Sequence, residues 1–397
     1  MGLFRRRAQD DVEERSTIDL SAYANLWSSA YPYSPVGVSQ HSALTHAASS
    51  ACVDTLATSV SALPLDAVRV DGERRVPVSP APPLIDAPSG LVQRDVWLYQ
   101  VMQSMLTDGN VFGVVAGVGR RGYPEQIELL DPATVTMRQV GDDGVARVAV
   151  NGVSRALWPI GDIWHVPGRF VKPGSPFADS PVERARATIG SAIAARDFGS
   201  QFFADGGHPG GLLQADQELT EDQAKAAKAA WLNAVKGNRE PAVLGSGWTY
   251  TPIMVDPNDS QFIELQQFAI EEACRFWRVP PSMVYAATSG SSVTYANVTQ
   301  ADLAYLKHSL EGHLVRLERA LSALMPRSQV ARFNRNAFLR SDPVTRSEVV
   351  DRRLRNETLT VNEARSLEDE QPFPGGEYDE PGIPGGGKPA KQEDLNA

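Results

Sequence analysis

The sequence predicts an α+β protein, with a small antiparallel sheet in the middle of the chain and long helices around it. Three observations predict it. Apolar residues recur at helical spacing up to about residue 107 and again beyond 180, whereas between 111 and 170 the period is two. Glycine-rich turns such as Gly141-Asp142-Asp143-Gly144 punctuate that middle stretch. Two amphipathic segments, 259–278 and 294–325, flank Val279-Pro280-Pro281 and a run of small residues. Each proline lacks an N–H and clashes with the preceding turn, so one helix cannot run through both.

The elements follow in order. Residues 1–35 are polar and irregular, ending near Tyr31-Pro32-Tyr33-Ser34-Pro35, and read as a flexible arm. Leu44, Ala48, Cys52, Leu56 and Val60 mark a helix over 40–62, stopped by Leu63-Pro64. A strand over 65–70 meets Asp71-Gly72, a hairpin turn. Residues 77–90 hold five prolines and read as loop. A helix over 91–107 ends at Asp108-Gly109-Asn110. Strands are expected at 111–118, 125–130, 134–140 and 145–150, with one more region at 156–166. Together they make one antiparallel sheet domain. Ser180-Pro181 opens a helix to Phe203, stopped by Gly206-Gly207. A compact α+β insertion, 206–255, carries a helix over 220–236 and strands near 241–245 and 248–254. A strand at 329–333 and a polar helical region at 343–370 follow. The last 27 residues hold five prolines and six glycines and read as a disordered tail.

Composition narrows the function. The chain has 397 residues, 42% of them hydrophobic, enough for a sizeable core. Its net charge is −10, from 38 Lys plus Arg against 48 Asp plus Glu. That argues against a conventional DNA-binding domain with its basic footprint. It is compatible with a protein past which nucleic acid slides. Cys52 and Cys274 form neither a disulfide framework nor a zinc pattern and read as core thiols. No apolar run approaches the roughly 20 residues that span a bilayer, so no membrane partner is expected.

No catalytic or metal constellation is legible. Gly117-Val118-Gly119-Arg120-Arg121-Gly122 matches G-x-G-x-x-G after a strand, with Asp142 twenty residues beyond. A dinucleotide site needs a helix to open there. Tyr123-Pro124 and another strand follow instead, so the glycines read as a hairpin turn. The histidine pairs His41/His46 and His308/His313 are five residues apart, about 140° around a helix, which is not a shared ligand face. Glu264, Glu271 and Glu272 lie opposite an apolar helix face, a solvated or intersubunit position rather than an acid/base pair. No cofactor is expected.

The loop is therefore the strongest functional candidate. It comprises Ser282, Ala286, Ala287, Thr288, Ser289, Gly290, Ser291, Ser292 and Val293, on a hinge of Val279, Pro280 and Pro281. The helix after it starts with Thr294, Tyr295, Asn297 and Gln300. Leu303, Leu306, Leu310, Leu314, Leu317, Leu321 and Leu324 form one stripe along it. At roughly 46 Å it exceeds the usual globular helix.

Ordered phrases along the chain carry a resemblance. They are Ala62-Leu63-Pro64-Leu65, Gly109-Asn110-Val111-Phe112, Leu130-Asp131-Pro132, Asp162 to Val166, Ser180-Pro181-Val182 with Phe202 to Gly206, and Trp248 to Pro252. The most specific are Val279 to Val284 and Thr294 to Gln300; Leu359 to Arg365, with Pro372, Gly375 and Gly376, comes last. In order and spacing the chain resembles the portal proteins of tailed double-stranded DNA bacteriophages, in the long-tailed branch, over most of 36–376. One departure stands out. The family often has Phe-Gly before Val-Pro-Pro, and here Trp277-Arg278 occupies that place. The helix then lacks a glycine C-cap, and Pro280 is expected to end it.

The resemblance implies a portal-like fold and a ring, a dodecamer, at one capsid vertex. It implies a wing at 36–180, stem helices at 181–205 and 256–278, a clip at 206–255 and a tunnel loop at 279–293. A long helix at 294–325 would lead from the loop to a crown at 326–370, before a tail at 371–397. Implied partners are double-stranded DNA in the channel, the major capsid protein, the terminase and head–tail adaptors. The virion would be its location, after assembly in the host cytoplasm, and catalysis would belong to the terminase. Two other readings stay open: a nucleotide-dependent enzyme built on Gly117 to Gly122, and a ring-forming scaffold unrelated to DNA passage.

Overall fold

The computed structural model describes residues 37–72, 74–141, 143–204, 211–216, 220–235, 247–252, 259–286, 295–338, 343–368 and 370–381. Two compact units emerge: Met1–Ser292 with Ala304–Phe333, and Val293–Leu303 with Asn334–Ala397.

The first unit begins with α1 (Gln40–Ala43) and α2 (Ala47–Ser61), where one helix over 40–62 was expected. Ser39 and Ser42 form a reciprocal capping box on α1. The next three N–H groups then bond only three residues back, and His46 turns extended to become the N-cap of α2. The apolar stripe continues across this break, so periodicity alone misses it. Ala48, Cys52, Leu56 and Val60 are buried as their spacing predicts. The short helix α3 (Pro83–Asp86) lies in the stretch expected to be loop, and the buried stripe packs α2 against α4 (Arg94–Thr107). Pro83 supplies the first-turn position, where its missing N–H costs nothing.

Strands β1 (Leu65–Asp71) and β2 (Arg74–Pro77) make the expected hairpin, turning at Gly72 with φ 60°. In the middle region β3 (Asn110–Val118), β4 (Pro124–Leu130), β5 (Val135–Val140), β6 (Ala146–Val150), β7 (Val153–Ala156) and β8 (Ile163–Pro167) are all antiparallel. They form two three-stranded sheets, β4-β3-β8 and β5-β6-β7, where one sheet was expected. The expected region 156–166 is likewise two strands' ends, β7 and β8. The chain leaves the first sheet at Asp131, whose carboxylate accepts the Ala133 N–H at 2.9 Å and starts a tight turn. β8 then takes the free edge of β3, pairing Phe112 with His165. Phe112, Val135, Val148, Val150, Ile163 and Phe177 fill one cluster between the sheets. Burying one such side chain is worth about 1.5–3 kcal/mol.

Ser180 caps α5 (Pro181–Arg184) through the Glu183 N–H, 3.2 Å, as its type and the following proline predict. A break at Ala185 separates α5 from α6 (Arg186–Ala204), where one helix was expected. Gly206-Gly207 lie outside the described residues. Next come β9 (Gly211–Ala215), which was not expected, α7 (Glu221–Val235) and β10 (Trp248–Pro252). β9 and β10 pair with each other. The expected strand 241–245 lies outside the described residues.

α8 (Asp259–Trp277) packs on α2 and α6. The chain continues through α9 (Tyr295–Tyr305), a π turn (Leu306–Leu310) and α10 (Glu311–Ser322) to β11 (Gln329–Phe333). β11 adds to the other edge of β1, with Leu65 opposite Phe333. Its outward N–H groups are covered from within: Gln329 by the Pro326 carbonyl, Ala331 by Ser322 Oγ at 2.9 Å and Phe333 by Glu318 Oε1 at 2.8 Å. Side chains of α10 thus blunt an edge strand that would otherwise template pairing.

In the second unit α11 (Arg335–Phe338) and α12 (Pro343–Arg355) precede α13 (Val361–Leu367). Thr360 and Glu363 form a capping box on α13. Asn362 holds both the N–H and the carbonyl of Phe373, and Arg365 stacks on the Phe373 ring, 3.9 Å from its centroid. Residues up to Pro381 therefore have defined contacts, including a bridge to Thr360.

Candidate functional site

The hinge is built by the way α8 ends. Arg278 adopts the left-handed conformation, φ 60°. Its N–H reaches back to the Arg275 carbonyl at 3.3 Å, and the Val279 N–H to the Cys274 carbonyl at 2.9 Å. This pair is a Schellman motif, the helix end that normally takes glycine at the left-handed position. The expectation that Pro280 ends the helix is thus corrected: α8 closes itself at Arg278, two residues earlier, with an arginine standing where glycine is favoured. A Cβ in that conformation costs about 1–2 kcal/mol.

Val279 then inserts into the core, 2% exposed, and anchors the hinge. Pro280 and Pro281 are half-buried and lead into a single 3₁₀ turn, Pro281–Val284, whose cap Tyr285 is left-handed and 98% exposed. Ser282 is exposed and Ala286 half-buried. Ala287, Thr288, Ser289, Gly290, Ser291, Ser292, Val293 and Thr294 lie outside the described residues. α9 includes Tyr295 and Asn297, and Gln300 is exposed on it.

The leucine stripe holds from Leu306 onward: Leu310, Leu314, Leu317, Leu321 and Leu324 are at most 3% exposed, but Leu303 is 46% exposed. Leu306, Leu310 and Leu314 spend eight residues on two turns, against about 7.2 in an α-helix. The π turn absorbs the surplus and keeps all three on one face. Ser309, within that turn, donates its hydroxyl to the Arg278 carbonyl, tying α8's end to the π turn. A groove of about 690 Å³ opens beside this junction, lined by Cys274, Arg278, Pro281, Tyr305 and Ser309 among others.

Two contacts join residues whose partners, far away in the chain, the sequence did not predict. Cys52 and Cys274, one on α2 and one on α8, bring their sulfurs 4.0 Å apart in the core. Burial first, and then Cys274 itself, pushes the Cys52 thiol far up, and burial raises Cys274 too. Both stay protonated and poorly nucleophilic. A thiol reagent is expected to titrate neither in the native protein over hours and both on unfolding; rapid labelling of native protein would contradict this.

The second is Asn110, fully buried. Its Oδ1 accepts the Ala178 N–H at 2.9 Å and meets His165 Nε2 at 3.1 Å, while Nδ2 donates to the Ala178 carbonyl at 2.8 Å. Burial, and then the Arg138 charge, holds His165 down to about 3, so the ring is neutral with Nε2 as donor. Gly109 before it has φ 84°, and a Cβ there would collide with the Asp179 carbonyl. The Gly109-Asn110 phrase is thus a clamp on the segment that leads into α5.

The glycines of 117–122 turn the β3–β4 hairpin: the Gly122 N–H bonds the Gly119 carbonyl, Gly119 bonds Tyr123, and β4 follows at Pro124. Among the described residues no three His, Cys, Asp or Glu group together as metal ligands, and no helix is long and apolar enough to cross a membrane.

The fold built from these elements is portal-type, as its likeness to solved structures shows. An HK97 family phage portal protein from Corynebacterium diphtheriae superposes with a TM-score of 0.58 at 17% identity, over 78% of this chain and 100% of that one. A chain from the neck of a native gene transfer agent particle, computed with C12 symmetry, gives 0.53 at 19% identity, over 89% and 99%. The chain belongs to the phage portal protein family, whose profile matches residues 47–369. A probable portal protein of Streptomyces phage phiC31 is 29% identical over 392 residues, 93% of this chain and 84% of that protein. The portal protein of Enterobacteria phage HK97 is 24% identical, over 82% and 79%.

Proposed function

We propose that this portal-family chain closes into a ring at one vertex of a phage head and forms the channel through which DNA is packaged and ejected. The family match over 47–369 carries the reading, because it spans the hinge and the small-residue loop. A ring of twelve is supported by the C12 neck in which a similar fold is found. Within it we assign 36–180 to the wing, 181–205 and 256–278 to the stem, 206–255 to the clip and 279–293 to the tunnel loop. The long helix 294–325 leads to a crown over 326–370, and residues 371–397 form the tail.

Phosphate contacts by Lys and Arg dominate affinity for a duplex, so a conduit must not present many of them to its bore. A net charge of −10 and a loop of Ser, Thr, Gly and Ala suit passage rather than capture. The role is structural. The Gly117–Gly122 hairpin, followed by a strand, weighs against a nucleotide enzyme, and we assign the motor to a separate terminase docking at the clip. Head–tail adaptors and the major capsid protein are the other proposed partners, and the virion vertex is the proposed location.

Electron microscopy of the purified chain tests this. Rings with a central hole wide enough for duplex DNA are expected. A chain that stays monomeric under all assembly conditions, or closes into rings without a hole, would sink the reading.

A further inference from the structure

We propose that a groove between α1, α4 and the β3–β4 hairpin seats the chain's own segment Tyr31-Pro32-Tyr33-Ser34-Pro35, folded back on the first unit. The inference does not depend on the ring reading above.

The groove encloses about 560 Å³, within the size range of sites that take a drug-sized group. Its floor is Thr107, Val111 and Phe112, all buried. Leu44, Leu129, Leu130 and Pro132 line it and are only half-buried, an apolar surface that the described fold leaves partly uncovered. Gln40 donates its side-chain amide to Asp108 at 3.0 Å, which fixes α1 as one wall. The side-chain amides of Gln100 and Gln103, also on the groove, have no hydrogen-bond partner among the described residues. No Lys or Arg lines the groove, so an anion would meet no cationic side chain there. Apolar walls with unspent amide donors suit a ligand that brings rings and unpaired carbonyls.

The segment supplies both. A residue before proline is pushed to extended backbone, which acts here on Tyr31 and Ser34. The sequence thus favours a polyproline II stretch, whose carbonyls make no internal bonds. Such a stretch loses little entropy on docking, which is why apolar grooves bind it. Tyr31 and Tyr33 add apolar rings with a hydroxyl at the tip, able to meet a polar rim.

Position assigns the groove to the chain's own segment. The described chain begins at Gly37, and Gln40 already lines the groove. Val36 to Ser39 alone separate Pro35 from Gln40, a reach of about 17 Å when extended. Nothing lies within 4 Å of where a Cβ on Gly37 would sit, which leaves room for the chain to reverse there. A tether this short gives a roughly millimolar effective concentration, which a free partner would have to match. Phe4, Tyr23 and Trp27 also precede residue 37, and segments that stay solvated are poor in aromatics.

Cysteine cross-linking in the full chain tests this, because Cys52 and Cys274 are buried. With oxidised glutathione, Tyr33→Cys combined with Gln100→Cys is expected to close an intramolecular disulfide. It should close on the order of tenfold faster than the control pair Leu20→Cys and Gln100→Cys. Chymotrypsin gives a second reading: the Tyr33–Ser34 bond is expected to be cut roughly tenfold slower in the native chain than in a synthetic peptide of residues 17–39. Gln103→Trp, which fills the groove, is expected to remove both differences. The proposal is overturned if the two cysteine pairs close equally fast, or if Tyr33–Ser34 is cut as fast as in the peptide. Disulfides that join separate chains would assign the groove to a second copy's arm and overturn it as well. None of these outcomes bears on whether rings form.

Discussion

Deletion of residues 286–293 is expected to leave rings intact and to abolish packaging or retention of DNA. The two effects separate because the hinge does not depend on the loop. α8 ends through its own backbone bonds, from Arg278 to Arg275 and from Val279 to Cys274. Val279 is buried, and Ser309 holds the Arg278 carbonyl from the π turn. These anchors all lie outside the deleted stretch. The loop itself consists of Ala, Thr, Ser, Gly and Val, side chains that offer a passing duplex no cation. Ring formation is read by electron microscopy and packaging by DNA content per particle. Particles that fill and hold DNA normally without residues 286–293 would remove the loop from the mechanism.

Asn110→Leu is expected to destabilise the first unit by about 3–5 kcal/mol, although Leu has a similar volume. The substitution strands the Ala178 N–H and carbonyl and the His165 Nε2–H in a closed interior. Each buried group left without a partner costs about 1–3 kcal/mol. Asn110 also meets Asp108, which forms a largely buried ion pair with Arg138 at 2.9 Å. In a denaturant titration the midpoint falls while the slope is unchanged. A loss below about 1 kcal/mol would mean that water or a rearranged loop satisfies these groups. The segment released is the one that feeds α5, where Ser180 Oγ also donates to the Thr107 carbonyl at 2.7 Å. The substitution thus loosens the start of the proposed stem.

Several local patterns were read correctly because a local cause decides the outcome, although the short helix at Pro83 was read as loop. The period-two strands, the Ser180-Pro181 helix start, the strand 329–333 and the buried stripe of α2 each follow from side chains a few residues apart. The Gly117–Gly122 glycines were legible as a turn because the residues after them favour a strand. Helix continuity was read less well. Two expected helices are interrupted, at 44–46 and at Ala185, since the apolar stripe runs on across a break that backbone bonds create. The middle sheet divides in two because β8, and not β5, reaches the β3–β4 hairpin. That choice is made by a packed cluster, not by any one strand.

By itself the sequence determined the class of fold, the place of the hinge and the small-residue character of the loop. These were legible from two consecutive prolines that no helix can run through, from apolar spacing and from residue size, which are properties of short stretches. Only the tertiary structure decided that Arg278 takes the left-handed helix end, that Cys52 meets Cys274, that Asn110 clamps Ala178 and that β11 joins β1. Each joins parts of the chain that no spacing relates, or sets a backbone angle that the surrounding packing enforces against the residue's own preference. Burial makes those contacts matter, because a polar group or charge removed from water must find its partner within the fold or on another chain.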